Sequence, residues 1–162
     1  GAISPHQADD ACGAIEAALA AGASPEAIRH GLANTCLQAR VQVVHPGLVI
    51  DGAHNPAAIG ELKLALEKQF SGKNILVLTA VMQDKDAKGI AEGIKQFAGG
   101  VVCTCVDRER GLPAIDYAKY FCNADYFSDP RSAYAYAKAQ NPGVLVVCGS
   151  FYLAGVILQM LG

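Results

Sequence analysis

From Val41 onward, short unbroken apolar runs alternate with segments whose apolar residues recur every three or four positions. Val41–Val44 and Leu48–Ile50 predict two short strands around Pro46-Gly47, a hairpin or bend. Asn55-Pro56 opens a helix with Ile59, Leu62, Leu66 and Phe70 on one face, and the polar turn Ser71–Asn74 ends it. Ile75–Val81 predicts the next strand. A helix follows Asp86, with Ile90, Ile94 and Phe97 facing inward, and stops at Gly99-Gly100. Val101–Val106 predicts a strand, Pro113 to about Cys122 a helix, and Ala124–Phe127 a short strand. Asp129-Pro130 caps a further helix, which Asn141-Pro142-Gly143 terminates. Val144–Cys148 is a continuous apolar strand, and Ser150 begins a last helix through Val156, Ile157 and Leu161.

Strands without polar alternation are covered on both faces, and helices between them supply the cover. The fold class is therefore α/β: a doubly wound, mostly parallel, Rossmann-like sheet with helices on both faces, spanning residues 40–162. The first 39 residues read differently. Ala and Gly dominate, and two helices are legible with no accompanying strand. One covers about Asp9 to Ala21 and stops at Gly22. The other has Ser24 as N-cap and Pro25 at its first position, and fades near Asn34. This predicts a short helical segment, 1–39, ahead of the sheet domain. Doubly wound sheets bind ligands at the carboxyl ends of their strands, so chemistry is sought there.

Composition narrows the classes. Of 162 residues, 52% are hydrophobic and 17% charged, enough apolar material for a buried core. Thirteen Lys+Arg against 15 Asp+Glu give a net charge of -2. No basic field exists to attract nucleic acid or an anionic membrane, so neither is expected as a partner. No apolar run approaches the roughly 20 residues that span a bilayer. No basic region followed by an apolar block opens the chain, so a cytoplasmic location is the expectation. Among six cysteines no C-x-x-C occurs, and no His stands at zinc-ligand spacing, so no metal site is expected. Cys103 and Cys105 lie two apart in an apolar run. They and Cys148 are expected to be reduced core residues.

The phosphate-cradling loops are absent: Gly72-Lys73 is followed by Asn74, and no G-x-G-x-x-G follows a strand. G-x-S-x-G is missing too, so Ser150 is not in a nucleophile elbow of that kind. Four groups nevertheless fall just after strands. In Asp51-Gly52-Ala53-His54-Asn55-Pro56, Asp51 at a strand end can accept a ribose hydroxyl, and His54 stands beside a helix N-terminus, where anions are favoured. Asp84-Lys85-Asp86, Arg108 with Arg110, and Gly149-Ser150 follow the other strands. Taken singly, each has a structural reading: Asp-Gly as a turn, Asn-Pro as a helix start, Asp86 and Ser150 as caps, the arginines as a solvated loop. Their shared edge is what points to a site.

These segments resemble the C-terminal domain of folylpolyglutamate synthases and bifunctional dihydrofolate synthases, within the Mur ligase superfamily. Asp51 to Pro56 resembles the motif that opens that domain. Asp84-Lys85-Asp86 is similar to its D-K-D element, Arg110-Gly111 to its Arg-Ala/Gly pair, and Val147 to Tyr152 to its terminal G-S element. His6-Gln7 with Asp10-Ala11 resembles an H-Q-x-x-N-A element, Asp10 standing where Asn is usual. Gln38-Ala39-Arg40 resembles P-G-R, with Gln38 for the Pro and Ala39 for the Gly.

The resemblance implies that residues 1–39 are a helical remnant of the central ATPase domain, and 40–162 the C-terminal lid. It implies ATP-dependent amide formation: ATP converts a folate carboxylate to an acyl phosphate, and the amino group of L-glutamate displaces phosphate. By the same resemblance, Arg40, Asp51 and His54 contact the nucleotide side, His54 and Ser150 serve the chemistry, and Lys85 and Ser150 contact substrate. ATP and Mg²⁺ belong to the full-length enzyme, neither held tightly by this chain alone, which is expected to be inactive. Folate, L-glutamate and the rest of the ligase are the implied partners. A stand-alone Rossmann-like binding module and the C-terminal domain of another Mur-type amino-acid ligase are the alternatives.

Overall fold

The computed structural model describes residues 5–35 and 38–162, with side chains from Ala8 onward. Cys36 and the side chains of His6 and Gln7 lie outside the described residues. The chain divides into two compact units, 1–37 and 38–162. The first holds helices α1 (Pro5–Ala20) and α2 (Pro25–Asn34). α1 begins at Pro5 rather than the expected Asp9, because a proline suits a first helical position. Ser24 caps α2 as expected, accepting the Ala27 N–H at 3.2 Å.

The second unit holds β1 (Gln42–His45), β2 (Leu48–Ile50), α3 (Pro56–Phe70), β3 (Ile75–Thr79), α4 (Ala87–Lys95), β4 (Gly100–Thr104), α5 (Ala114–Ala118), β5 (Ala124–Phe127), α6 (Pro130–Ala139), β6 (Val144–Cys148) and α7 (Phe151–Leu161). Six strands form one sheet in the order β1-β2-β6-β3-β4-β5. β1 and β2 make an antiparallel hairpin; every other pairing is parallel. The connections β2–β3, β3–β4 and β4–β5 advance in one direction, and β5–β6 returns. Right-handed crossovers then put α3, α4 and α5 on one face and α6 on the other.

The core follows that division. Val49, Val77, Cys103, Val146 and Cys148 point toward Ile59 and Leu62 of α3, Ile90 and Ile94 of α4, and Tyr117 of α5. Their strand neighbours Ile50, Leu78, Val102 and Val147 point toward Ala133 of α6 and Leu153 and Ile157 of α7. All five residues of β6 are buried, as its uninterrupted apolar run requires.

Several boundaries differ from expectation. Val41 is excluded from β1 by a positive φ of 48°. β3 and β4 end at Thr79 and Thr104, not at Val81 and Val106. Ala80 and Val81 stay buried beyond the ladder, so their apolarity reports burial and not pairing. α5 stops at Ala118, and i to i+3 turns at Tyr120 and Phe121 replace its expected last turn. Cys105 is not a core strand residue: it lies past β4, half-buried, and its thiol donates to the Asp107 carbonyl at 3.2 Å.

Candidate functional site

The parallel strands all end on one edge, where the candidate groups gather. Asp51 follows β2, and its backbone N–H continues the ladder to the Val147 carbonyl at 2.9 Å. Its carboxylate accepts the N–H of Val41 at 2.6 Å and of Ala53 at 2.7 Å. Asp51 is 6% exposed. Its burial comes from the segment before β1. Ala39 and Val41 hold positive φ angles of 54° and 48°. Asp51, with the Gly52 N–H donating to the Ala39 carbonyl at 2.7 Å, pins that strained backbone. Burial pushes the Asp51 carboxyl above its ordinary value, while the two backbone donors and the charges of Arg40 and His54 pull the other way.

The pinned segment carries Arg40, whose guanidinium lies 5.3 Å over the Phe151 ring. The His54 ring packs against the same phenyl, 5.5 Å between centroids at 51°. His54 Nδ1 is 2.9 Å from the Gly52 carbonyl. A carbonyl only accepts, so Nδ1 carries the proton and Nε2 is left for a ligand. Gly52 is required here, because a Cβ would overlap the Phe151 ring. Ser150 is 2% exposed, and its Oγ accepts the Tyr152 N–H at 3.1 Å, capping α7. Gly149 holds φ +98°, and its N–H reaches the Ala53 carbonyl at 2.7 Å, joining the turn after β6 to the turn after β2.

A second cluster forms where the loops after β3 and β4 meet. Met82 and Gly111 make an antiparallel bridge, and the Gln83 N–H donates to the Arg110 carbonyl at 2.9 Å. Asp107 accepts the N–H groups of Glu109 and Arg110 at 2.9 Å each, and Arg110 Nε at 3.2 Å. These donors hold the Asp107 carboxyl below its ordinary value. Arg110 also donates to the Tyr152 hydroxyl at 3.2 Å while lying over its ring. Lys85 pairs with Asp84 at 2.9 Å. Lys85, Asp84, Glu109, Arg110, Gln83 and Tyr152 line an open cleft of about 410 Å³. Asp86 is a cap, accepting the Gly89 N–H at the start of α4. No group of three or more His, Cys, Asp or Glu suited to a metal occurs among the described residues.

The decisive comparison is with protein families: residues 39–151 match the Mur ligase, glutamate ligase domain. The chain belongs to that family. The chain is 28% identical over 158 residues to the dihydrofolate synthase/folylpolyglutamate synthase of Escherichia coli, covering 94% of this chain and 37% of the relative. Among solved structures, E. coli FolC in complex with DHPP and ADP superposes with a TM-score of 0.89 at 26% identity, over 99% of this chain and 40% of that one. A bifunctional folylpolyglutamate synthase/dihydrofolate synthase with Mn, AMPPNP and L-glutamate bound gives 0.77 at 31% identity, over 86% of this chain and 36% of that one. The chain thus spans about two-fifths or less of the length of these relatives.

Within the glutamate ligase domain, Arg40, Asp51 and His54 come together around the turns after β2 and β6. Ser150 joins them through the backbone, and Lys85 and Arg110 belong to the separate cleft between the β3 and β4 loops. Arg108 is exposed and lines neither. Sequence reasoning assigned no role to Phe151 or Tyr152. The available signal was a pair of aromatics in the first turn after a strand, where Phe151 stays 42% and Tyr152 53% exposed.

Proposed function

We propose that this glutamate ligase domain serves an ATP-dependent folylpolyglutamate/dihydrofolate synthase. In that reaction the γ-phosphoryl group of ATP passes to a folate carboxylate, and the glutamate amine then displaces phosphate to form the amide. The observation that carries the reading is the charge pattern of the carboxyl-edge cleft. Each of the two loops that line it carries one cation and one carboxylate, Lys85 with Asp84 after β3 and Arg110 with Glu109 after β4. An amino acid carries both signs, and glutamate adds a second carboxylate for the second cation. The folate relatives favour this branch over another Mur-type ligase and over a stand-alone binding module.

In this reading Lys85 and Arg110 hold the glutamate carboxylates, and Arg110 is preset by Asp107 and Tyr152. Arg40, steadied by Phe151 and by the Asp51-pinned backbone, meets nucleotide phosphate. His54 offers Nε2 at the N-terminus of α3 as an acceptor to the attacking amine or, with the ring doubly protonated, as a donor to a phosphate oxygen. Asp51 and Ser150 act chiefly by holding these turns in shape. We assign the Mg²⁺ ligands, the phosphate loop and most of the folate site to the rest of the ligase. We place the whole ligase in the cytoplasm.

The test uses the full-length ligase. Arg110→Ala removes a charge-assisted hydrogen bond and should raise the KM for glutamate about tenfold or more, with the KM for ATP little changed. Lys85→Ala should act in the same direction. His54→Ala should instead lower kcat. Unchanged glutamate KM in both cation variants would defeat the assignment of this cleft.

A further inference from the structure

A larger cavity, of about 520 Å³, lies at the opposite, amino edge of the sheet, where β2 and β6 begin. Its size is that of a small-molecule site. Leu48 is buried in its floor, and Phe70 and Tyr134 wall it. Lys73 and Lys138 stand on its rim, and neither ammonium has an ion pair or hydrogen bond among the described residues. No Asp or Glu is among its lining residues, although the whole chain carries a net charge of -2.

Tyr134 supplies an independent observation. It is 6% exposed, and its hydroxyl makes no hydrogen bond among the described residues. The phenol oxygen is not sealed in the core with the enclosed, unpartnered Tyr117 hydroxyl. Tyr134 itself lines the cavity. Its hydroxyl donates to no described protein group, so in a cavity also lined by two unpaired lysines it is a donor available to a ligand. Lys138 lies in the last turn of α6 and Lys73 just beyond α3, where a cation also offsets the negative helix end. That role accounts for each lysine singly. It does not account for the unpaired phenol, the apolar floor or the lack of carboxylates.

We propose that this cavity binds a small organic anion with a flat aromatic body. Lys73 and Lys138 would pair its carboxylate or phosphate, the Tyr134 hydroxyl would donate to it, and half-buried Phe70 would take the ring. The proposal stands apart from the ligase reading, because the cavity and the carboxyl-edge site lie on opposite sides of the sheet.

The test is an NMR titration of the isotope-labelled 162-residue chain. The probes are 2-naphthoate, 2-naphthyl phosphate, the neutral 2-naphthylmethanol and inorganic phosphate. At least one aromatic anion should shift the amides of Gly47, Asn141 and Gly143 saturably, and the tighter of the two identifies the preferred head group. The neutral alcohol and inorganic phosphate should each bind about tenfold more weakly, since each lacks one half of the recognition. The double variant Lys73→Gln/Lys138→Gln should weaken the aromatic anion about tenfold or more while its spectrum stays that of the folded chain. Tyr134→Phe, which keeps the wall, should weaken it about threefold or more. The proposal is overturned if neither anion saturates at these amides, if the double lysine variant binds unchanged, or if the neutral alcohol or phosphate alone binds equally well.

Discussion

Asp51 answers for two backbone donors at once, and one of them lies ten residues back in the chain, at Val41. Asp51→Ala would leave both N–H groups without an acceptor in a buried turn and should destabilise the fold by about 3 kcal/mol, read by urea unfolding. Its pH dependence follows from the raised carboxyl value. The folded chain binds the Asp51 proton more tightly than the unfolded chain, whose value is the ordinary 3.8. The linked stability is therefore complete below 3.8 and is lost as pH rises through the folded value. Asp51→Asn has no such titration, so the variant's stability relative to the parent should improve as pH climbs above 3.8. A shift the other way would mean that the two N–H bonds outweigh burial. The sequence marks Asp51 as a strand-end acid, but nothing local reveals its partners, because the positive φ angles of Ala39 and Val41 carry no glycine to announce them. Gly149 is the reverse case: a glycine stands in the sequence, and the backbone shows why. At φ +98° an added Cβ would press on the Ala80 carbonyl and Thr79 Oγ1. Gly149→Ala should cost about 2 kcal/mol or more, measured by the same unfolding.

The helix starts are the most legible elements, because capping is local chemistry. Asn55, Asp129 and Ser150 each stand one residue before a helix and accept a backbone N–H at 2.8, 2.8 and 3.1 Å. Ser150→Ala should therefore lower stability by about 1 kcal/mol, and Ser150→Gly by only a few tenths. The pair also separates the cap from a substrate contact. If Ser150 only caps α7, the full-length Ser150→Gly enzyme keeps its glutamate KM; a raised KM in a glycine variant of near-normal stability assigns a direct contact. Strand ends are less legible than helix starts. An apolar run continues wherever burial continues, and Val81 is buried under the joined loops after the ladder has ended at Thr79. The bridge from Met82 to Gly111 that builds the second cleft pairs residues far apart in sequence, so the cleft was visible only as separate charged loops.

At the scale of the whole molecule, the alternation of strand and helix was readable, but the insertion of β6 between β2 and β3 was not. That order depends on the single return crossover from β5, which no local pattern encodes. It has a consequence for the cysteines. β6 sits at the centre of the sheet, and Cys148 at its end shares the α3–α5 face with Cys103 of β4. Both thiols are 0% exposed, and burial pushes both up, Cys103 to about 12. At pH 8 the Cys103 thiolate is then about one part in ten thousand of the native population, so labelling needs opening as well as deprotonation. No single helix uncovers the pair: Cys103 and Cys148 lie in one cluster with side chains of α3, α4 and α5. Their reaction with a thiol reagent should therefore track global unfolding, with the urea dependence of the equilibrium transition. Cys12 and Cys122, both exposed, should react at once, and half-buried Cys105 more slowly. In urea, without reductant, all six cysteines of the chain should titrate as free thiols. Labelling followed residue by residue with peptide mass spectrometry makes the comparison direct. Native-state labelling of Cys148 at the rate of Cys122, or a urea slope well below the global one, would show that the sheet centre opens locally and would remove β6 from the cooperative core.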